Sequence, residues 1–117
     1  MTKNETAKKK ILSNEEDIDL SLNDLLLRGR VSGEAVEKEL PSGDKVAEFR
    51  IVITRSKGEG VDTIDVAAWS SSLRRRALSL HRDEWVEVSG SIRRRFWQSP
   101  TGLASRWQVE AEKITRL

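Results

Sequence analysis

Apolar and polar residues alternate along most of the chain after residue 23, and this pattern predicts five β-strands. In the second strand, Ala47, Phe49 and Ile51 point to one face and the intervening residues to the other. Gly29 lies inside the first strand, where a bulge or a close backbone approach is the usual reason for a glycine. The predicted strands are DLLLRGRVSG, VAEFRIVITR, VDTIDVAAW, WVEVSGSIRRRFW and LASRWQVEAEKITRL.

One segment, SSSLRRRALSLHRDE, has the spacing of a helix. Ser70 begins a run of three serines that offer N-cap oxygens, and Leu73, Ala77 and Leu80 recur at helical intervals. The order predicts an all-β OB-fold, a five-stranded Greek-key barrel with one short helix between strands three and four. Periodicity alone leaves an SH3-like barrel or a small sandwich open.

The first 22 residues form a segment of a different kind. Its only sizeable apolar residues are Ile11, Leu12, Ile18, Leu20 and Leu22, which are scattered among charged and polar residues. The segment therefore buries too little apolar surface to offset the entropy lost on ordering. We expect residues 1–22 to be a flexible charged extension, with a short edge strand possible over 18–22, and residues 23–117 to be the domain.

Composition excludes several classes of protein. The 117 residues fit one domain, and no apolar run approaches a membrane span or a secretory signal. The absence of Cys excludes disulfides and thiolate metal sites, and no catalytic motif occurs. The single His81 is read as a cation near a helix C-terminus. We therefore predict a cytoplasmic protein, not an enzyme, with no catalytic residue, metal or cofactor and no membrane partner.

Charge is distributed unevenly. The net charge is +2, but residues 74–117 carry ten basic and five acidic side chains, including the triplets Arg74–Arg76 and Arg93–Arg95. Such asymmetry indicates a polyanionic partner on one face. For Arg74–Arg76 the favoured interpretation is a solvated helix face.

Two tryptophans lie on the polar faces of their strands, Trp69 on the third and Trp97 on the fourth. The two-residue period places Arg93 and Arg95 beside Trp97. Indole rings that stack on bases, with guanidinium groups along the phosphates, are typical of single-stranded nucleic acid binding. The alternative is that the tryptophans pack at the barrel end. For Trp107 packing and base contact are equally favoured.

Five segments in order, LRGRVSG, ELPSGDKVAEFRIVITR, TIDVAAW, WVEVSGSIRRRFWQSPTG and RWQVEAEKI, resemble the bacterial single-stranded DNA-binding protein family. The resemblance covers residues 23–117. It implies an OB-fold that binds single-stranded DNA without reading sequence in replication, recombination or repair, as a homotetramer, with a dimer also possible. It implies stacking by Trp69 and Trp97 and backbone contacts by Arg93 and Arg95. The other candidate DNA-binding residues are Arg30, which matches a polar family position, Trp107, which replaces a tyrosine, and Arg55, Lys57 and Arg106.

Several departures weaken the expected binding. Thr63 stands where members of the family often have an aromatic residue, and the SKGEG loop has none. Glu34, Glu37 and Glu39 make the first hairpin acidic, and no Gly/Pro-rich tail with an acidic tip follows the last strand. The alternatives are therefore an accessory paralogue or a trimmed chain, an OB-fold used as a protein-interaction module or primosome-type accessory subunit, and RNA as a second polymer.

Overall fold

The computed structural model describes residues 17–117. Six strands, one α-helix and one 3-10 turn follow one another along this part of the chain. The strands are β1 (Leu25–Val31), β2 (Val36–Glu39), β3 (Lys45–Thr54), β4 (Val61–Ala68), β5 (Trp85–Ser99) and β6 (Gly102–Arg116); the 3-10 turn is Ser56–Gly58 and the helix, α1, is Ser71–Leu78.

The strands form one sheet that closes on itself. Their order is β1-β5-β6-β4-β3-β2, and β3 also pairs with β1, where Val31 lies opposite Ile51. The pairing of β4 with β6 is parallel, whereas the other pairings are antiparallel. Five strands therefore make a closed barrel with the helix between its third and fourth strands, which confirms the predicted OB-fold. The short edge strand β2 is an addition to the prediction.

Two glycines allow neighbouring strands to approach closely. A Cβ atom on Gly29 would lie 2.7 Å from the carbonyl oxygen of Val52, and one on Gly90 would lie 2.1 Å from that of Glu110. The close approach predicted at Gly29 is confirmed. Around these contacts the aliphatic faces of the strands meet in one core, which includes Val31, Phe49, Ile51, Val66, Ala68, Val86, Val88, Val109 and Ile114.

The helix closes one side of the core. The Ser70 hydroxyl accepts a hydrogen bond from the Leu73 N–H at 3.2 Å, the N-cap that the serine run predicts. Ala77 and Leu80 are buried in the core, and Leu73 packs against it. The helix also positions Trp69, because Arg74 Nη1 donates a hydrogen bond to the Trp69 carbonyl oxygen.

The segment before β1 runs along the edge of β5. Residues 17–24 contain no strand, so the edge strand expected over 18–22 is not formed. Instead the Asn23 side chain exchanges two hydrogen bonds with the Ile92 backbone, at 2.7 and 2.8 Å. This side-chain amide extends the β1–β5 pairing to two residues beyond the last strand pair, Leu25–Gly90. The rest of the expected extension, residues 1–16, lies outside the described residues.

Candidate nucleic-acid interface

A long hairpin of β5 and β6 extends beyond the barrel and has two different faces. Residues directly opposite each other in an antiparallel pair share a face, so the register assigns every side chain. The outer face carries the pairs Arg93–Gln108, Arg95–Arg106 and Trp97–Ala104. The reverse face carries Arg94–Trp107, Phe96–Ser105 and Gln98–Leu103.

On the outer face, two indole rings each lie beneath a guanidinium group. The Arg95 guanidinium carbon is 4.7 Å from the ring centroid of Trp69, and that of Arg106 is 5.7 Å from the ring of Trp97. Both distances are within the range of a cation–π interaction. Trp97 is 45% exposed and Trp69 is half-buried, so one ring is open to a ligand and the other is partly enclosed.

Two cavities of about 360 Å³ each lie side by side on this face. The first cavity includes Trp69 and Trp97 in its wall. The second extends along β3 and β4 toward Arg50 and Asp65. Four residues line both, namely Lys38, Glu48, Arg106 and Gln108. We call the two cavities together the groove.

Most of the charges along the groove are paired. Lys38 Nζ lies 2.7 Å from Glu48 Oε1, and Arg50 Nε lies 2.8 Å from Asp65 Oδ1. The second oxygen of Asp65 is 3.7 Å from Arg106. The hydrogen bond from Arg50 and the charge of Asp65 raise the pKa of Arg50. The groove is therefore lined by paired acidic and basic side chains rather than by a uniformly positive surface.

Glu48 is a half-buried carboxylate of the groove that contacts two donors, Lys38 and Gln108. Burial alone would raise its pKa, but hydrogen bonds from Lys38 and Gln108, with the charges of Lys38 and Arg106, outweigh burial and lower the pKa below its ordinary value of 4.5. Glu48 is thus a carboxylate anion at neutral pH, and it presents only hydrogen-bond acceptors to the groove.

The predicted site residues divide into two groups. Trp69, Trp97, Arg95 and Arg106 lie together around the groove. Arg93 is on the same face of the hairpin, where its Nη2 lies 3.6 Å from Glu110. Arg93, Arg95 and Trp97 share one face of β5, as the two-residue period predicts, and contact of the five residues with DNA stays a prediction.

The remaining basic candidates lie elsewhere. Arg30 is opposite Trp85 at the start of β5, where its guanidinium is 3.7 Å from Asp83, whereas Trp97 is near the far end of that strand. Arg55 pairs with Asp62 at 2.8 Å at the tip of the β3–β4 hairpin, and its hydrogen bond lowers the pKa of Asp62. Lys57 is exposed in the 3-10 turn of the same tip. None of these three lines either cavity of the groove.

Trp107 is on the reverse face of the hairpin, opposite to the face of Trp97. The ring is 55% exposed, and the Arg94 guanidinium lies 5.4 Å from its centroid and 5.5 Å from that of Phe96. Arg94 Nη2 also donates a hydrogen bond to Ser105 Oγ at 2.8 Å. Trp107 therefore neither packs inside the barrel nor joins the groove.

Sequence reasoning missed the acidic and amide side chains of the groove. Glu48 and Asp65 were visible only as polar positions on their strands, and Gln108 as the second residue after Arg106. Period two places Gln108 on the Arg106 face, but its contact with Glu48 requires the parallel pairing of β4 with β6. No local sequence signal reports that pairing.

The described residues show neither a metal site nor a membrane helix. Residues 17–117 contain no cluster of three or more His, Cys, Asp or Glu that is placed to hold an ion. Within the same range, no helix has the length and apolarity needed to cross a membrane.

The closed barrel and its groove of indoles and arginines define an OB-fold protein with the features of a nucleic-acid-binding module. A sequence model described as the single-strand binding protein family matches residues 22–117. The chain belongs to the single-strand binding protein family, whose members bind DNA and are not enzymes.

The structural comparison agrees on the fold. A Plasmodium falciparum SSB, solved in complex with ssDNA, superimposes with a TM-score of 0.67 and 24% sequence identity, covering 86% of this chain and 99% of that chain. A comparison with curated proteins returned no match.

Proposed function

We propose that this chain binds single-stranded DNA without reading a defined sequence, through the groove. The observation that carries the proposal is the placement of Trp69 and Trp97 on one cavity with Arg95 and Arg106. Membership of the single-strand binding protein family supports it, as does the ssDNA bound to the Plasmodium SSB of the same fold.

The guanidinium groups over the indoles indicate how binding proceeds. In the free protein, Arg95 and Arg106 cover the rings of Trp69 and Trp97. An incoming base takes the stacking position on the indole, while the displaced guanidinium moves to an adjacent phosphate. The cation–π contact, about 0.5–1 kcal/mol at an exposed site, is then replaced by stacking of about 1–3 kcal/mol.

The affinity is expected to be lower than that of a protein with more aromatic platforms. Thr63 is exposed on β4 opposite Val52, and the 3-10 turn after β3 presents Lys57 rather than an aromatic ring. Each missing platform removes about 1–3 kcal/mol per base.

A fluorescence titration with an oligothymidine tests the proposal. We expect saturable quenching of the intrinsic tryptophan fluorescence, which weakens with salt and is absent with duplex DNA.

Trp97→Ala should weaken binding by about 1–3 kcal/mol, measured by anisotropy of a labelled strand. Trp85→Ala is the matched control, since it removes an indole of similar exposure, 51%, at the other end of β5 and outside both cavities. Equal losses in the two variants would refute the groove as the binding site.

We propose further that the chain forms a homo-oligomer through the reverse face of the hairpin. Ile92, Phe96, Leu103 and Trp107 are 42–71% exposed there, and contiguous exposed apolar surface is typical of a protein interface. Leu103→Glu should reduce the sedimentation coefficient to that of a 13.3 kDa monomer. If the wild type is already monomeric at all concentrations, this surface is available to a different protein, as in an interaction module.

A further inference from the structure

We propose that the indole N–H of Trp69 donates a hydrogen bond to an oxygen atom of the bound strand, so that this ring holds the strand by its edge as well as by its face. The acceptor is a phosphate oxygen or a base carbonyl oxygen, and both present the same chemistry to an N–H donor. The inference rests on the proposed function and adds to it a group that positions the strand in the groove.

The Trp69 ring carries a polar atom that the protein itself does not satisfy. Among residues 17–117, Nε1 of Trp69 is the one buried side-chain nitrogen or oxygen atom without a hydrogen-bond partner, and its accessible area is below 1 Å². The indole nitrogen is a donor only, so it needs an acceptor from elsewhere. A buried donor without an acceptor is costly, and such exceptions are rare in folded proteins. An oxygen atom of a ligand would remove this cost.

The backbone on both sides of Trp69 is fixed, so the unpaired donor does not result from a loose segment. Trp69 follows Ala68, the fully buried last residue of β4, and precedes Ser70, the N-cap of α1. Arg74 Nη1 donates a hydrogen bond to the Trp69 carbonyl oxygen, and Arg74 Nε lies 3.2 Å from Glu37 Oε2. The strand and the helix therefore hold the indole at the wall of the first cavity of the groove.

The neighbours of Trp69 in that wall supply more donors than acceptors. The Arg95 guanidinium carbon lies 4.7 Å from the ring centroid, but a guanidinium has no acceptor for the indole N–H. Glu48, the one carboxylate that residues 17–117 place in this wall, is already bound to Lys38 at 2.7 Å and to Gln108 at 3.4 Å. The first cavity therefore fits a ligand that brings oxygen acceptors, as phosphates and thymine carbonyl groups do.

Arg95 is the group whose movement brings the N–H within reach of the strand. It has no carboxylate within 4.0 Å among the described residues, so leaving the ring breaks no ion pair there. The binding mode proposed above already moves this guanidinium from the indole to a phosphate. The same movement uncovers the Trp69 ring, whose edge then meets the sugar-phosphate chain or the edge of a neighbouring base.

Trp97 provides the internal comparison. Its ring also lies beneath a guanidinium, since the guanidinium carbon of Arg106 is 5.7 Å from its centroid, but the residue is 45% exposed. Water supplies the acceptor for the N–H of such an exposed indole in the free protein. Binding then replaces one acceptor by another, so the N–H of Trp97 contributes little to affinity.

Replacement of the indole nitrogen by sulfur provides the test. The amino acid 3-benzothienylalanine keeps the fused rings and the stacking face of tryptophan but has no N–H donor. At position 69 we expect it to weaken the binding of an oligothymidine by about fivefold or more, because the acceptor on the strand loses its donor. The same replacement of Trp97 is the matched control and should change the affinity by less than about twofold. Urea denaturation should find the variant at position 69 at least as stable as the wild type, since it removes an unpaired buried donor.

The indole proton of Trp69 in the wild type gives a second measurement that requires no replacement at this position. In proton–nitrogen NMR spectra we expect its signal to move downfield on saturation with the oligothymidine, because a hydrogen bond deshields the proton, whereas stacking alone shields it. A strand of dithiothymine distinguishes the two sources of the acceptor, since sulfur accepts hydrogen bonds weakly and the phosphates are unchanged. A downfield shift that persists with this strand assigns a phosphate oxygen, and one that is lost assigns a base carbonyl oxygen.

The outcomes separate this inference from the proposed function. Equal affinity of the wild type and the position-69 variant for the oligothymidine would overturn the inference, as would an upfield or unchanged Trp69 signal in the saturated complex. An equal loss at Trp97 would also overturn it, because the effect would then belong to any altered stacking ring. Each of these results leaves the proposed function intact. If the wild type does not bind the oligothymidine, the proposed function fails first.

Discussion

Gly90 and Gly33 differ in what surrounds their Cα atoms. A Cβ on Gly90 would lie 2.1 Å from a backbone carbonyl oxygen, and backbone atoms cannot rotate away as a side chain does. Gly33 has no atom within 4 Å of the same position. We expect Gly90→Ala to lower the free energy of unfolding by about 1–3 kcal/mol, because the β5–β6 pair must separate. Urea denaturation measures the loss. Gly33→Ala is the control, and a similar loss in both variants would contradict the close-approach argument.

Glu48 gives the protein a specific dependence on pH. Because its pKa is lowered on folding, its ionised form stabilises the folded state fully above its ordinary pKa of 4.5, and this contribution is lost as pH falls through the folded value. We therefore expect the difference in unfolding free energy between wild type and Glu48→Gln to be constant above about pH 5 and to decrease below it. Urea denaturation from pH 7 to pH 3 measures this difference. Parallel pH profiles for the two proteins would show that Glu48 contributes no pH-dependent stability.

At the scale of the elements, local patterns predicted most of the barrel. The alternation of Phe49 and Ile51 identified β3, and Ser70 marked the start of the helix, because both signals depend on neighbours in sequence. Strand β2 was missed, since all four of its residues are exposed and lack an apolar alternation. It forms through pairing with β3.

The two faces of the hairpin show where the site could be predicted and where it could not. Period two placed Arg93, Arg95 and Trp97 on one face of β5 correctly. Trp107 shares its parity with the buried Val109, but the hairpin extends past the barrel, so the same face is exposed at Trp107. How far the hairpin extends depends on its length relative to its neighbours, which no window of sequence contains.

Asn23 links the segment before β1 to the hairpin. Its side chain pairs with the backbone of β5 beyond the end of β1, and Asn23 Oδ1 accepts a hydrogen bond from the Ile92 N–H at 2.8 Å. Asn23→Ala should therefore accelerate hydrogen exchange at Ile92 while the amides of the barrel core, such as Val88, keep their protection. Exchange measured by NMR tests this prediction. Asp19→Ala is a suitable control, because it removes a hydrogen bond that is local to the segment, the one that the Ser21 backbone N–H donates to Asp19 Oδ1. Unchanged exchange at Ile92 would show that the two hydrogen bonds from the Asn23 side chain do not protect this amide in solution.

At the scale of the whole molecule, pairing reduces the charge that is available to DNA. The C-terminal part of the sequence is strongly basic, but Arg74, Arg93, Arg106 and Arg116 each lie within 4.0 Å of a carboxylate. A count of basic residues therefore overstates the number of phosphates that the surface neutralises. The sequence correctly indicated a negatively charged partner. It could not indicate how many of the basic side chains are free of a carboxylate partner.

Arg95 and Arg50 provide a direct measurement of this effect. Arg95 covers Trp69 and has no carboxylate within 4.0 Å among residues 17–117, whereas Arg50 is bonded to Asp65 at 2.8 Å. Phosphate contacts by an unpaired cation release counterions, with a slope of log K against log salt of about −0.7 per contact on single strands. Arg95→Ala should reduce the magnitude of the slope by about 0.7. Arg50→Ala should change it less, because Asp65 already compensates its charge. Titrations of an oligothymidine at several salt concentrations measure both slopes. An equal change in the two variants would show that the ion pairs of the groove open on binding, and that the whole basic surface contacts the strand.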